Sequence, residues 1–269
     1  MTDKEMILEY LRGGSQGIFN LCWADLGAMY LPKVNLSGID LSYANLQGVN
    51  LGWANLKGVK LVGANLIGAK LTHVDLTHAD LSGADLTGAN LTKAKLYGAK
   101  LSGVELSKAN LKQANLIEAN IISSNLENAI LIGANLPKAD LSFSNLSFAD
   151  FSSANLSGSY LLEARLLGTK CLGADFSGAD LSESNLSNAN LSQTDLTEAN
   201  LTKTILFNTI FYNAIFLDTI LKGANINDAK LQEVKRPESI ILPIRTKRVV
   251  RHWIIKPLDN KHVDSSLYS

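Results

Sequence analysis

Cysteine is nearly absent: Cys22 and Cys171 are the only two in 269 residues. Two thiols cannot make a disulfide framework, so a reducing, cytoplasmic setting is expected. Aromatics are 7% of the chain against 46% hydrophobic residues, so any core must be aliphatic. That apolar share also excludes wholesale disorder. Net charge is missing too, with 25 basic residues balancing 25 acidic ones. Neutrality excludes a chain built throughout to coat nucleic acid or an anionic membrane. No run approaches the roughly 18 apolar residues of a membrane span, and no membrane partner is expected. Residues 1–20 lack a basic leader followed by an apolar stretch and a cleavage site, so no signal peptide is expected.

What is present is leucine, on a frame. Of 45 leucines, 36 fall at positions 21, 26, 31 and onward in steps of five. From Leu21 to Leu231 the frame passes through 43 positions without an insertion or deletion. Its seven exceptions, Ile121, Phe151, Cys171, Phe176, Phe211, Phe216 and Ile226, are all apolar. Two residues before each centre the side chain is small: 26 of the 42 positions from Ala24 to Ala229 are alanine. Asn or Asp mostly stands between, and Ser, Thr or Gly mostly follows, as in ADLTG at 84–88 and ANLTK at 89–93.

A period of five matches neither 3.6 nor 2.0, so a regular helix or strand would smear the leucines around its axis. The pattern requires a chain that turns once per unit and points each centre inward. Four units per turn give a square coil in which residues 20 apart stack at the strand spacing of about 4.8 Å. The result is a rod on the order of 50 Å long, quasi-one-dimensional and in need of caps at both ends.

The units resemble the pentapeptide-repeat family, whose consensus is A-(N/D)-L-x-x, over residues 20–231. The resemblance implies an all-β fold, a right-handed quadrilateral β-helix; the handedness comes from the family and not from the spacing. The segment MILEYLRGG at 6–14 is similar to the N-terminal segment of cyanobacterial members. Three parts follow: an N-terminal helical cap at 1–19, the β-helix at 20–234 and a C-terminal cap segment at 235–269. Thr2 and Glu5 have capping-box spacing, and Ile7, Tyr10 and Leu11 share a face of the expected helix. The C-terminal segment carries eight basic and three acidic residues and two apolar stretches, SIILPI at 239–244 and VVRHWII at 249–255.

Chemistry is hard to find. Cys171 occupies a repeat centre and belongs to the core, while Cys22 has no histidine nearby to activate it. His73 and His78 take the same slot in consecutive units and so sit on adjacent faces; a metal would want two more ligands there, only Asp75 and Asp80 offer, and no site is expected. No phosphate-binding glycine motif is present. The many Asp and Asn fill one structural slot, where they can bond nearby backbone. No catalytic residue, cofactor or metal is expected, and the chain is not expected to be an enzyme.

Two surface features stand out when the chain is folded into rows of 20. Numbering the faces from the column of Leu21, Leu41 and Leu61, Lys33, Lys70, Lys93 and Lys112 share face three, which has no acid between 33 and 112. Residues 113–200 carry three basic and ten acidic residues. Eight of those acids, Glu118, Asp140, Glu163, Asp175, Asp180, Glu183, Asp195 and Glu198, fall on faces four and one, interrupted only by Lys138. Farther on, Ile205, Ile210, Ile215 and Ile220 replace Asn or Asp through one complete coil, and Phe207, Tyr212 and Leu217 follow in an outward slot. These seven form an apolar collar. The tail is expected to cover it through Ile240, Ile241, Val249, Trp253 and Ile254, with Arg245, Lys247, Arg248 and Arg251 near the acids. A second copy, giving a homodimer, or another protein is the alternative cover.

The function expected is a non-catalytic protein-binding scaffold. Similar cyanobacterial proteins include regulators of cell differentiation, so the resemblance implies an adaptor for a transcription regulator or another protein. The alternative it implies is a DNA mimic that binds a topoisomerase such as gyrase. B-DNA shows about 12 charges over the roughly 21 Å these acids span, more than this surface carries, and no loop breaks the repeat. Nucleic acid is not expected as a partner of the tail, whose charges alternate with apolar residues.

Overall fold

The computed structural model of the protein describes residues 2–13 and 21–235. Helix α1 spans Asp3–Leu11. Its capping box closes: the Glu5 amide donates to Thr2 Oγ1 at 3.2 Å, and the Thr2 amide to the Glu5 carboxylate at 2.7 Å. Ile7 is fully buried, and Leu11 packs against the same core, so α1 lies on the first coil. Elsewhere the backbone amide at the position of Asp25 bonds the preceding coil. Asp25 has no such coil, and its amide donates to Asp3 Oδ2 at 2.8 Å instead.

From residue 21 the chain winds one coil per 20 residues, with parallel bridges joining residue n to n+20 from Asp25–Asn45 to Ile215–Lys235. Four bridge columns, starting at residues 25, 30, 35 and 40, repeat in every coil. The amides of one unit show why the sequence takes this form. Leu41 donates to the Lys60 carbonyl at 2.8 Å, Tyr43 to Val62 at 2.8 Å, Ala44 to Leu41 at 3.1 Å and Asn45 to Ala24 at 2.9 Å. The fifth amide, Ser42, has no backbone acceptor and donates to Asp40 Oδ1 at 3.0 Å. Asn or Asp therefore precedes each centre because its side chain satisfies the one amide the coil leaves over.

The bond from Ala44 to Leu41 closes a four-residue turn whose third residue, Tyr43, has φ +61°. These are the features of a type II turn, which favours glycine at that corner. A side chain other than glycine there costs about 1 kcal/mol. At Gly63 a second constraint applies, since a Cβ would lie 2.7 Å from the Tyr43 ring one coil before.

Leucine and alanine slots point inward and are buried through the middle of the rod. Where Ser or Thr replaces alanine, the hydroxyl finds a carbonyl, as in Ser124 to Leu101 at 2.7 Å and Thr209 to Leu186 at 2.9 Å. Ser184 is the exception among these interior hydroxyls and has no partner. At the C-terminal end Leu221, Ile226 and Leu231 are only partly buried. The expectations for the tail, Ile240 to Ile254 included, concern residues that lie outside the described ones.

Candidate protein-binding surface

The eight acids of faces four and one are of two kinds. Asp140, Asp175, Asp180 and Asp195 stand in the slot before a centre, and each gives an oxygen to the next turn. The accepted amides are Ser142 at 3.0 Å, Ser177 at 2.9 Å, Ser182 at 3.0 Å and Thr197 at 2.9 Å. The glutamates stand at corners and point outward. Glu118 accepts from the Tyr97 hydroxyl at 3.0 Å, which pushes the Tyr97 phenol up. Glu183 pairs with Lys203 at 2.7 Å, a hydrogen bond that pushes the lysine up. Among the described residues Glu163 and Glu198 meet no cation.

The collar residues all lie on the outer surface. Ile205, Phe207, Tyr212 and Ile220 are exposed by 40–50%, while Ile210, Ile215 and Leu217 are half-buried. Isoleucine cannot accept a hydrogen bond, so the amides at 207, 212, 217 and 222 lose the acceptor that neighbouring units keep. Thr202, just before, still donates to Asn200 Oδ1 at 3.0 Å.

A second surface escaped the sequence reading. Tyr160, Arg165 and Lys170 replace Asn or Asp in three successive units, and Leu162, Leu167 and Leu172 follow them outward. With Phe143 and Phe148 from the coil before, Tyr160 and the three leucines make an apolar band over faces one to three, in which Phe143, Phe148, Tyr160 and Leu172 are 45–53% exposed. The signal was available: the same slot lost its Asn or Asp here as in the collar. Outward leucines hide easily among so many inward ones.

The N-terminal half is polar in a different way. Lys57 and Lys95 lie 3.5 and 3.8 Å from Asp75, Lys60 lies 3.7 Å from Asp40, and Lys100 lies 3.8 Å from Asp80. Burial works to raise the Asp75 carboxyl, but the Thr77 hydroxyl and amide and the two lysines outweigh it and hold it below its ordinary range. The Ser42 hydroxyl, first among several donors, holds Asp40 low as well.

His73 lies flat on Trp53, with centroids 3.9 Å apart, and His78 meets the Tyr97 ring edge-on at 5.2 Å. Among the described residues no group of three His, Cys, Asp or Glu converges to hold a metal ion. Burial pushes the Cys171 thiol up to about 12, which makes it inert in the folded rod. Burial and a hydrogen bond with Asp40 raise the Cys22 thiol as well.

Known proteins supply the comparison. The model for pentapeptide repeats matches eight copies, at residues 20–58, 50–88, 69–107, 94–131, 109–142, 119–158, 144–182 and 174–211. The chain belongs to the pentapeptide-repeat family. Membership implies a right-handed β-helix. HetL, a pentapeptide repeat protein involved in heterocyst differentiation regulation from the cyanobacterium Nostoc sp. strain PCC 7120, is 34% identical. The match covers 90% of this chain and all of HetL, with a TM-score of 0.43. QnrB1, a plasmid-mediated fluoroquinolone resistance protein, is 19% identical over 72% of this chain and 92% of its own, with a TM-score of 0.46. A pentapeptide repeat protein of the Arabidopsis thaliana thylakoid lumen is 27% identical over 49% of this chain and 70% of its own, with a TM-score of 0.18. No curated protein matches the sequence. Among the described residues no helix is long and apolar enough to cross a membrane.

Proposed function

We propose that the chain is a non-catalytic protein-binding scaffold, a regulatory adaptor of the cytoplasm that works through the outer slots of a quadrilateral β-helix. One observation carries this reading. The stretches at 160–172 and 205–220 carry large apolar side chains in outward slots, exposed, while the bridge frame continues unbroken. Exposed apolar clusters on a polar surface mark interaction sites, and aromatic anchors with a polar rim suit a protein partner. Glu163, Glu183 and Asp180 border the mid-rod patch and extend its rim.

The regulatory part of the reading follows the sequence likeness to HetL, which is involved in heterocyst differentiation regulation. The gyrase-binding alternative draws less support. Four of the eight acids give an oxygen to their own turns, and Lys203 neutralises Glu183. A supercoiling assay that shows neither gyrase inhibition nor protection from quinolone ends that alternative.

Segments 1–19 and 235–269 act as the caps of this rod. The partial burial of Leu221, Ile226 and Leu231, where the chain continues past Lys235, supports a cover at that end. Deleting 236–269 then raises binding of an apolar dye; unchanged dye binding and unchanged oligomeric state refute the cover. The scaffold reading is tested by placing a photo-cross-linking phenylalanine analogue at Phe143 or Tyr212 and irradiating native lysate. A protein adduct at these positions, absent when the group stands at Thr87, is expected. Adducts at none of them overturn it.

A further inference from the structure

Face three of the N-terminal half carries a surface that neither apolar coil explains. Its corner slot holds Lys33, Trp53, His73, Lys93 and Gln113 in five successive coils, all with φ between +56° and +63°. Glycine adopts this conformation without strain. Over the same span it fills nine of the twelve corner slots on the other three faces. Face three therefore keeps side chains where the backbone favours none, a departure of the kind that collects at functional sites.

The side chains it keeps are of one character. Trp53 is 60% exposed and stacks on His73. Lys33 and Lys93 flank that pair in the same column, with Lys70 and Lys112 beside them. Among the described residues none of these four lysines meets a carboxylate, whereas Lys57, Lys60, Lys95 and Lys100 of the same half all do. The surface offers ammonium groups, an indole N–H and electropositive ring edges, and no carboxylate of its own. A nucleic-acid strand binds aromatic residues through open ring faces, and His73 already covers one face of Trp53. Ammonium groups, N–H donors and ring edges, with one indole face already taken, suit a ligand rich in carboxylates better than a stacked base.

We propose that this face docks an extended acidic segment of a partner protein. Lys33 and Gln113 lie four coil steps apart, about 19 Å at strand spacing, which accommodates about six extended residues. The inference rests on the scaffold reading and adds the chemistry of a partner at a third surface.

The test is fluorescence anisotropy with the full chain and a fluorescein-labelled peptide of glutamates and leucines, twice that length. A poly-thymidine strand and a lysine-rich peptide of equal length run beside it. The acidic peptide is expected to bind, and its Kd to rise about tenfold or more when salt goes from about 50 to about 300 mM. The double variant Trp53→Gly/Lys93→Gly is expected to weaken binding about tenfold or more. Glycine is already the common corner residue, so this variant keeps the fold, checked by an unchanged circular dichroism melt. Peptide binding unaltered in the double variant, poly-thymidine binding in its place, or no peptide binding at about 1 mM each overturns the inference. A protein adduct at Phe143 in a chain that ignores the acidic peptide overturns it alone and leaves the scaffold reading standing.

Discussion

Residues 33–112 carry nine lysines against five carboxylates, and residues 113–200 carry three basic groups against ten acids. Beneath that contrast the two stretches are alike. Both wind one coil per 20 residues, bury the same leucine and alanine slots, and close the same bridges. Their outward residues differ in kind as well as in sign. Four lysines of the first stretch are paired with aspartates one coil away or close to it, and four on face three are left free. In the second, Tyr160, Arg165 and Lys170 replace the turn-bonding Asn or Asp in one run, and exposed apolar side chains gather around it. The interior thus sets the fold and tolerates almost any exterior, so specificity has to lie in the departures from the consensus.

The largest expected effects bear on the shared interior. Leu66→Ala and Leu166→Ala each remove a fully buried centre, and each should destabilise the rod by about 2–5 kcal/mol. Urea unfolding should give similar losses for both. A loss confined to one would mean that the halves are packed differently. Next comes the leftover amide: Asp195→Ala deprives Thr197 of an acceptor at 2.9 Å and should lose about 1 kcal/mol. Ile215→Asn in the collar restores the missing acceptor and should gain stability or leave it unchanged.

Acid should then separate the halves. Asp75 titrates below its ordinary range when folded, as does Asp40. Their stabilising contribution is complete above the ordinary carboxylate pKa of about 4 and is lost as the pH falls through the depressed values. Asp75→Asn should therefore flatten the fall of the melting temperature between about pH 5 and pH 2. A fall as steep as that of the wild type counts against the Lys57–Asp75–Lys95 cluster. Smallest of all, Glu183→Gln breaks an exposed ion pair and should leave the melting temperature unchanged within error.

Much of this was legible before any coordinates. The five-residue frame foretold which slots face inward, and Thr2 with Glu5 foretold the capping box. Rows of 20 even place Lys60 beside Asp40 and Lys203 beside Glu183. The turn role of Asp140 or Asp195 could be suspected from its repetition, but the count of free acids could not. That count depends on which oxygen an amide takes and which lysine leans across a coil. Phe143, Phe148 and Leu162 escaped notice because an outward apolar residue looks, letter by letter, like an inward one. The stacking of Trp53 on His73 needed the corner geometry, since a shared column does not say how two rings lie on each other.

The central claim is that frame and surface are separable: the coil stores the fold and the departures store the function. It is tested most directly by resetting one patch to the repeat, as Phe143→Gly/Tyr160→Asn/Leu162→Ser. Affinity is then measured for a partner first identified by cross-linking at Phe143. The account predicts an unfolding midpoint equal to or above that of the wild type and a Kd raised about a hundredfold. Unchanged affinity, or a chain that no longer folds, would contradict it.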